Sequence, residues 1–428
     1  MRSVVLISPH FPPSTLAGVH RARHMAKHLP AFGWRPIVIR AASETYSELN
    51  DPALAALVPA SVEQVETRAL PLGVMRRLGI GDIGIRAYPY LAAALERVIV
   101  NEHPAAVFIT GFPFYPMLLA KRVRQRHGLP VVLDFQDPWV SAYGATRHGK
   151  EGLAHRLATV LEPRVLRHAS FVTSVSDRQN EEMAQRYPWL DRGRMAAIPI
   201  GGDPEDFARL ADAPSASAGR LDPDYVNLCY VGTFLPRAGP LMRQLFRAVA
   251  RLRTQHPALA ERLRLVFVGT SNQPDGKGGA RVAAIAAEEG VADLVDETPA
   301  RAPYLDALAI LAKASALLLI GSDEPHYTAS KIYPGMMSGR PFLSLFHQES
   351  SAHQILAGAG GGIALSFENA AELDALAPRI NEALVRLLSA PESLGRVDPN
   401  AYAPYTARAV SGRFAAIFDQ AAGQETRR

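Results

Sequence analysis

The sequence predicts an α/β protein of two doubly wound, Rossmann-like domains that face each other across a cleft. Short runs rich in Val, Ile and Phe alternate with longer stretches of helical periodicity along the 428 residues. Because these apolar runs do not alternate strictly with polar residues, they indicate strands buried on both faces of a parallel sheet. The pattern of strand, Gly/Pro turn and helix begins twice, at ISPHFPPSTLAG and at YVGTFLPRAGP, and the chain is too long for one ordinary core.

Twelve apolar runs are predicted to be strands. Seven lie in the first half: Ser3–Ile7, Pro36–Arg40, Val62–Thr67, Ala105–Thr110, Val131–Phe135, Phe171–Ser174 and Ala196–Ile200. Five lie in the second half: Val226–Val231, Leu265–Val268, Ala316–Ile320, Phe342–Leu345 and Ile363–Phe367. Between the halves, ADAPSASAGR has the composition of a linker, so the predicted domains are 1–210 and 221–399. A last helix is predicted over Thr406–Ala421.

Composition excludes several classes of protein. Hydrophobic residues make up 48% and charged residues 20%, which is typical of a globular chain and excludes a disordered or collagen-like one. Lys and Arg outnumber Asp and Glu, 46 against 41, without a block of like charges, so no nucleic-acid partner is expected. The single cysteine, Cys229, excludes an internal disulfide and favours a cytoplasmic location.

No targeting or membrane-spanning segment is expected from the sequence. The apolar run Val4–Ile7 is too short for a signal-peptide core, and prolines follow it. No stretch approaches the ~18 apolar residues that cross a bilayer. Any membrane contact is therefore expected to be peripheral.

The first strand-turn-helix segment, SPHFPPSTLAGVHR, carries three candidate binding residues. His10 follows the strand, Gly18 would let the backbone approach a ligand, and Arg21 would place a charge in the first helical turn. A helix that begins in this way offers free N–H groups to an anion. The alternative is a plain loop without a ligand.

The segment LDFQDPW is a buried strand that brings Gln136, Asp137 and Trp139 to its carboxyl end. Ligands bind at that end of the strands in open parallel sheets. A carboxylate beside an aromatic ring suits a sugar, which offers hydroxyls at its edge and an apolar face. The alternative is an aspartate that caps the next helix and a tryptophan in the core.

Two further strands end in a glycine and a hydroxyl residue, Gly232–Thr233 in VGTF and Gly269–Thr270 in VGTS. Arg237, which follows the first pair, is either a phosphate ligand or a solvent-facing side chain. Each signal is weak when it is taken alone.

The densest polar cluster is GSDEPHYTASKIYPG, which follows the predicted strand ending at Ile320. Ser330 and Lys331 are predicted to begin a helix, and hydroxyls with an ammonium at a helix N-terminus form an anion site. The alternative, an N-cap serine and a solvated lysine, leaves the polar run before them unexplained.

Other chemistry finds no support in the sequence. There is no G-x-G-x-x-G, Walker A or G-x-S-x-G pattern, so a nicotinamide, flavin or P-loop nucleotide site is not expected. The crowded N-terminal histidines lack cysteine partners and an H-E-x-x-H pattern, so no metal ligands are assigned.

At these residues the chain resembles the retaining GT-B glycosyltransferases, in particular the large bacterial group 1, or family 4-like, type that builds polysaccharides and glycolipids. The resemblance covers nearly the whole chain. It rests on the order of seven motifs: the FPP…G…R opening, DPW, SVSD, IPIGGDPEDF, YVGT, FVGT and SKIY…SGRP. No single motif is specific, but the ordered set is.

The resemblance implies a hexosyltransferase that uses a nucleotide-sugar donor, retains the anomeric configuration and needs no cofactor or bound metal. The second domain would hold the donor, with UDP-, GDP- and dTDP-linked sugars all open. The first domain would hold a glycan, lipid-linked or small-molecule acceptor. The segment 400–428, with the last helix, would cross back to the first domain.

The resemblance also implies roles for individual residues. Three would be catalytic: Asp137, Arg237 and Lys331. Eleven would contact the donor: Gly18, Gly232, Thr233, Gly269, Thr270, Glu324, His326, Tyr327, Thr328, Ser330 and Tyr333. Four would contact the acceptor: His10, Arg21, Gln136 and Trp139.

Several positions depart from the family's pattern and support an alternative function. His326 and Pro334 stand where the family commonly has two glutamates, and Gln136 stands where it commonly has a histidine. Thr233 and Ala238 replace its usual Arg and Lys, with Arg237 next door. The alternative is a non-catalytic GT-B homologue that binds a nucleotide sugar or partners another glycosyltransferase. A weaker third hypothesis is a nucleotide-sugar epimerase, which would consume donor without an acceptor.

Peripheral contact with the inner face of the membrane is a separate hypothesis. It is motivated by the basic helical segment Lys121–Arg126, and by Arg76 and Arg77 beside Leu78 and Ile80. The alternative is a solvated basic surface.

Overall fold

The computed structural model describes residues 1–211, 221–271, 278–324 and 330–425. It divides into two compact units, Met1–Ile200 with Ala407–Arg428, and Gly201–Thr406. The boundary at Ile200 falls inside the IPIGGDPEDF segment, earlier than the predicted domain end at 210. The predicted linker, after Ala211, lies outside the described residues.

A seven-stranded parallel sheet forms the centre of the first unit, in the order β3-β2-β1-β4-β5-β6-β7. Its strands are β1 (Arg2–Ile7), β2 (Trp34–Ala41), β3 (Glu63–Thr67), β4 (Ala106–Thr110), β5 (Val131–Phe135), β6 (Phe171–Ser174) and β7 (Met195–Ala197). The helices before the boundary are α1 (Val19–His28), α2 (Pro52–Ala55), α3 (Leu72–Arg77), α4 (Ile83–Glu102), α5 (Leu119–His127), α6 (Ala142–Ala145), α7 (Gly149–Leu166) and α8 (Asp177–Arg186).

A six-stranded parallel sheet forms the centre of the second unit, in the order β10-β9-β8-β11-β12-β13. Its strands are β8 (Val226–Val231), β9 (Leu263–Val268), β10 (Val295–Thr298), β11 (Ala316–Ile320), β12 (Phe342–His347) and β13 (Gly362–Phe367). Its helices are α9 (Pro204–Ala208), α10 (Gly239–Gln255), α11 (Pro257–Glu261), α12 (Arg281–Glu288), α13 (Tyr304–Lys313), α14 (Ile332–Met337), α15 (Ser351–Ala359), α16 (Ala370–Asp374), α17 (Leu376–Ser389) and α18 (Pro399–Tyr402). The last helix, α19 (Ala407–Glu425), belongs to the first unit.

Alternate residues of the central strands pack on opposite faces of each sheet. In β4, Val107 and Ile109 pack with α4 and α5, whereas Phe108 faces α1 and α19. The rings of Phe108 and Phe414 meet edge to face, with centroids 5.4 Å apart. Burial on both faces explains why these strands appear in the sequence as continuous apolar runs.

All twelve predicted strands are present in the described residues, and the α/β fold of two parallel sheets is confirmed. The pattern missed β10, whose sequence VDET contains one apolar residue and lies at the edge of the second sheet. Each residue of this strand is partly buried or exposed, so it needs no continuous apolar run. Among the described helices, none has both the length and the apolar character to cross a bilayer.

Candidate functional site

Each sheet reverses its strand order once, and the polar candidate residues gather at these two points. In the first sheet the reversal lies between β1 and β4, and in the second between β8 and β11. Ligands of open α/β sheets bind beyond the carboxyl ends of the strands at such points. We call Gly232, Thr233 and Lys331 the second-domain site. We call His10, Gly18, Glu48, Gln136 and Asp137 the first-domain site.

Lys331 supplies the positive charge of the second-domain site. Its Nζ donates to the Tyr230 hydroxyl, lies 4.0 Å from the centroid of the Tyr230 ring and lies 3.5 Å from the Thr233 carbonyl oxygen. Burial of this ammonium lowers the pKa of Lys331 to about 7, and no carboxylate of the described chain offsets that effect. Such a group regains its full charge when an anion binds beside it, which suits a diphosphate.

Backbone geometry requires a glycine beside this lysine. Gly232 has a φ of 130°, which side-chain-bearing residues rarely adopt. Its N–H donates to the carbonyl oxygen of Val268 at 2.9 Å, and a Cβ added to it would lie 3.6 Å from Cε of Lys331. The Thr233 carbonyl accepts the Tyr230 hydroxyl at 2.9 Å. The fold therefore brings Gly232, Thr233 and Lys331 together, while their roles stay predictions.

Arg237 is not the uncompensated cation that its predicted catalytic role requires. Its Nε lies 2.8 Å from Oδ1 of Asp323, and its Nη1 pairs with the Glu324 carboxylate. Glu324, which was predicted to contact the donor, is thus a partner of Arg237. All three side chains are well solvated, so the two ion pairs add little to the free energy of unfolding. An anionic ligand could therefore replace the carboxylates as a partner of Arg237.

Two residues that were predicted to contact the donor, Ser330 and Tyr333, lie in surroundings that the sequence did not predict. Ser330 does not begin a helix, because α14 begins at Ile332 with Lys331 at its N-cap and no side-chain cap. The helix has six residues and Ser330 does not cap it, so the prediction of a serine at the helix start is wrong, while the anion contact of Ser330 stays a prediction. Tyr333 is 1% exposed and packs on Tyr405, with ring centroids 5.5 Å apart, so its predicted donor contact is wrong. Three other predicted residues, His326, Tyr327 and Thr328, lie outside the described residues.

The second glycine and hydroxyl pair serves the packing of the sheet. Gly269, with a φ of 74°, is buried and its N–H donates to the Thr298 carbonyl oxygen at 2.9 Å. The Thr270 side chain is also buried, and its hydroxyl donates to the Glu297 carboxylate. That carboxylate also accepts the N–H of Ala283 at 2.7 Å. These contacts connect β9 to β10 and α12, and the donor contacts of Gly269 and Thr270 stay predictions.

The first-domain site contains an ion pair that the sequence analysis missed. Nδ1 of His10 lies 2.8 Å from Oε1 of Glu48, and the two side chains are 13% and 12% exposed. Ser14 also donates its hydroxyl to this carboxylate. Burial favours the neutral acid, but His10 and Ser14 together outweigh it and lower the pKa of Glu48 to about 2. Glu48 stays ionised beside Nδ1 of His10, so Nε2 is the ring nitrogen that does not face the carboxylate.

Gln136 and Gly18 meet in the same site. Nε2 of Gln136 donates to the Thr110 hydroxyl at 2.5 Å and to the Gly18 carbonyl oxygen at 3.2 Å. Its Oε1 is buried and has no hydrogen-bond partner in the described part of the chain. A buried acceptor of this kind is satisfied when a ligand hydroxyl or a water donates to it. Gly18 has an ordinary helical φ of −62°, and a Cβ there would lie 3.5 Å from Oε1, so its donor contact stays a prediction.

Asp137 and Trp139 follow Gln136 at the end of β5. Asp137 is exposed. Trp139 is partly buried and stacks on Phe114, with centroids 5.2 Å apart and planes 7° apart, while Tyr115 meets its edge. One face of the indole ring is therefore occupied, and only the rest of it could contact an acceptor.

Arg21 lies inside the first domain and does not face an acceptor. Its side chain is 0% exposed, and its Nε lies 3.0 Å from Oδ2 of Asp134. Its Nη1 and Nη2 donate to the carbonyl oxygens of Pro199 and Ile198 at 2.7 and 2.6 Å. The guanidinium carbon lies 5.0 Å from the centroid of the Phe414 ring. Arg21 thus ties α1 to β5, to the chain after β7 and to α19, which contradicts its predicted acceptor role.

Two doubly wound parallel sheets, each with polar residues at its switch point, define the GT-B class of glycosyltransferase fold. Residues 17–201 match the family described as "Glycosyl transferase 4-like domain". A D-inositol 3-phosphate glycosyltransferase of Stackebrandtia nassauensis is 33% identical over 146 residues, which cover 33% of this chain and 32% of the relative. The match therefore spans about a third of that relative's length.

Solved structures resemble the whole chain. Sucrose-phosphate synthase from Thermosynechococcus elongatus has a TM-score of 0.66 and 16% identity, with 98% of this chain and 99% of that chain covered. HepE from Anabaena, in complex with UDP and glucose, has a TM-score of 0.59 and 14% identity, with both chains covered completely, 100% each. At these identities the likeness shows the fold. Together with the family match, it confirms the resemblance to the group 1 GT-B glycosyltransferases.

Proposed function

We propose that the chain is a glycosyltransferase that moves a hexosyl group from a nucleotide-sugar donor to an acceptor hydroxyl, with retention of configuration and without a bound metal ion. The family 4-like first domain and the similarity to an inositol phosphate glycosyltransferase support the reaction class. The complex of one structural neighbour with UDP and glucose supports a nucleotide-sugar donor. The observation that carries the proposal is the buried, uncompensated ammonium of Lys331 at the β8–β11 switch point.

Leaving-group chemistry explains why such a charge is needed. Breaking the anomeric C–O bond develops negative charge on the departing diphosphate and positive charge on the sugar. A preorganised ammonium in a poorly solvated site stabilises that negative charge far more than one in water does. Lys331 would take this role, and Gly232 would allow the diphosphate to lie close to the backbone.

The first-domain site suits a neutral, hydroxyl-rich acceptor. The Glu48 carboxylate is engaged by Nδ1 of His10 at 2.8 Å, and Gln136 presents an unsatisfied acceptor oxygen. Hydroxyls both donate and accept, so the hydroxyls of a sugar or polyol are proposed to pair with the imidazole Nε2 and with the amide Oε1. Asp137, which is exposed beside them, is proposed to hydrogen-bond the sugar or the acceptor.

The non-catalytic alternative is favoured by two observations. Pro334 lies within α14, and its side chain has no polar group that could bind a ribose. Arg237 is occupied by Asp323 and Glu324. A protein of this kind would bind a nucleotide sugar without turning it over.

Thermal-shift measurements with UDP, GDP, dTDP, ADP, CMP and their sugar conjugates test the proposal first. A ligand present at 100 times its dissociation constant stabilises the native state by about 2.7 kcal/mol. We expect one base to raise the melting temperature of the wild type and of the matched control Lys313→Met, but not of Lys331→Met. Release of nucleoside diphosphate that requires an acceptor would then establish transfer.

Two outcomes would contradict the proposal in different ways. Binding without turnover, tested over a panel of glycan, lipid-linked and small-molecule acceptors, would support the non-catalytic homologue. No binding of any nucleotide would remove both functions.

A further inference from the structure

Helix α7 carries an apolar stripe on its solvent side. Leu153, Leu157 and Val160 are 68%, 43% and 45% exposed, and their i, i+4, i+7 spacing places them on one helix face. The opposite face carries the buried residues Ala158 and Glu162. Single exposed leucines are ordinary on protein surfaces, but a continuous apolar stripe is typical of a surface that contacts a membrane, a protein or another ligand.

Helix α3 and its C-cap extend this surface. Val74 and Leu78 are 57% and 69% exposed. The two segments are neighbours, because a Cβ added to Gly79 would lie 3.9 Å from Nζ of Lys150, next to the start of α7. We call Val74, Leu78, Leu153, Leu157 and Val160 the α3–α7 patch.

The charges around the α3–α7 patch have one sign. Five exposed cations lie on the same two segments: Arg76, Arg77, Lys150, Arg156 and Arg164. Lys150 and Arg156 lie on either side of the stripe, at about 60° from it on a helix of 3.6 residues per turn. Both glutamates of α7 form ion pairs with arginines that are not part of this group. Glu151 pairs with Arg147, and the buried Glu162 pairs with Arg186 at 2.7 Å.

We propose that the α3–α7 patch docks the first domain on an anionic lipid membrane. An exposed apolar stripe with a cationic border is the surface of a helix that lies in the membrane interface, where the stripe enters the acyl boundary. The cations meet the anionic headgroups at the same depth. We choose an anionic lipid surface as the occupant because its negative headgroups complement the cationic border and its acyl boundary accommodates the apolar stripe.

The basic helix α5, the other region suggested by the sequence, lacks this combination. Arg122 and His127 both pair with Glu96, the latter at 2.9 Å. Arg124 donates to the carbonyl oxygen of Gly128 at 3.3 Å, and Val123 is buried. Its charges are largely satisfied within the domain, and it presents no apolar stripe among its described residues.

Cosedimentation of the full chain with vesicles tests the docking surface. We expect binding to vesicles of equimolar phosphatidylglycerol and phosphatidylcholine at low salt, much weaker binding at high salt, and little binding to phosphatidylcholine alone. The double variant Leu153→Glu/Leu157→Glu should bind at least tenfold more weakly. The matched control Val100→Glu changes an apolar side chain that is 60% exposed on α4, outside the patch, and should bind as the wild type does.

Charge is tested separately from the stripe. Arg76→Gln/Arg77→Gln should weaken binding by roughly fivefold for each charge removed, while the control Lys121→Gln on α5 should leave it unchanged. All substituted residues are exposed, so thermal melts of the variants should match the wild type.

Three results would overturn the proposal. The first is no binding of the wild type to anionic vesicles at low salt. The second is an equal loss of vesicle binding in the double variant Leu153→Glu/Leu157→Glu and in the control Val100→Glu. The third is self-association through the patch, seen as a wild-type dimer that the double variant breaks, without vesicle binding. The vesicle assay uses no donor or acceptor, so a negative result leaves the proposed transferase activity untouched.

Discussion

The two domains share a doubly wound parallel sheet, but their switch-point sites differ in charge balance. In the second domain the ammonium of Lys331 is buried without a compensating carboxylate among the described residues. In the first domain Arg21 is matched by Asp134 in the core, and His10 is matched by Glu48 at the site. On the proposed function, the shared topology would determine where a ligand binds, and the charge balance would determine whether that ligand is an anion or a neutral polyol.

The largest expected effect tests whether Arg21 belongs to the core of the first domain. Arg21→Met leaves Asp134 buried and unpaired, which should cost about 3–5 kcal/mol of stability. All three tryptophans, Trp34, Trp139 and Trp189, lie in the first domain, so their fluorescence follows its unfolding alone. The double variant Arg21→Met/Asp134→Leu should recover most of the loss, and Arg251→Met, on the surface of the second domain, should have no effect. If Arg21→Met were as stable as the wild type but had lost acceptor binding, Arg21 would be an acceptor-binding residue and not a core residue.

Lys331→Met should have the largest effect on activity. The variant keeps the packing of the side chain but removes the charge that faces the diphosphate, so kcat/KM should fall by about 10²–10³-fold. The control Lys313→Met should retain full activity, and the calorimetric melt of both variants, which includes the unfolding of the second domain, should match the wild type. A fall in kcat/KM of less than about threefold is well below the effect of losing a transition-state donor. It would contradict the proposal that Lys331 stabilises the departing diphosphate.

The pH dependence of nucleotide binding sharpens the same contrast. Free Lys331 has a pKa of about 7, and a bound diphosphate raises it toward its ordinary value of 10.5. A proton is therefore taken up on binding above pH 7, so the affinity for nucleoside diphosphate should fall up to tenfold per pH unit between about pH 7 and 9. The terminal phosphate, with a pKa near 6, is already ionised over that range. Calorimetric titration checks the slope, which should vanish in Lys331→Met; a pH-independent affinity in the wild type would contradict the assignment.

Glu48→Gln should have the smallest effect of the four predictions, and it should change the KM for the acceptor only. The variant weakens the contact with the His10 imidazole, so the KM for the acceptor should rise by about five- to tenfold, the size expected for losing one contact worth about 1 kcal/mol. Donor affinity should not change. Glu44→Gln, an exposed glutamate of the same loop, is the control. An equal change in donor affinity would show that Glu48 acts on the fold rather than on the acceptor.

The sequence predicted the fold well, because the signals for it are local. Strands buried on both faces must be apolar at nearly every position, so β1, β4 and β11 are visible as runs of Val, Ile, Leu and Phe. Where burial is partial, as in β10, the run disappears and the strand was missed. The segments that reach a switch point were also predictable, since a polar residue after a buried strand lies at its carboxyl end.

The sequence by itself therefore determined the two parallel sheets and the loops that carry the candidate residues, among them Gln136 and Lys331. Only the tertiary structure decided which polar residues are open to a ligand. The segment around Arg21 is much more basic than the segment around Lys331. Yet Arg21 meets the carboxylate of a strand residue 113 positions away, and Lys331 meets none that is described. The pairing of His10 with Glu48 has the same origin. The physical reason is that compensation of a charge depends on neighbours in space, which periodicity and spacing along the chain do not encode.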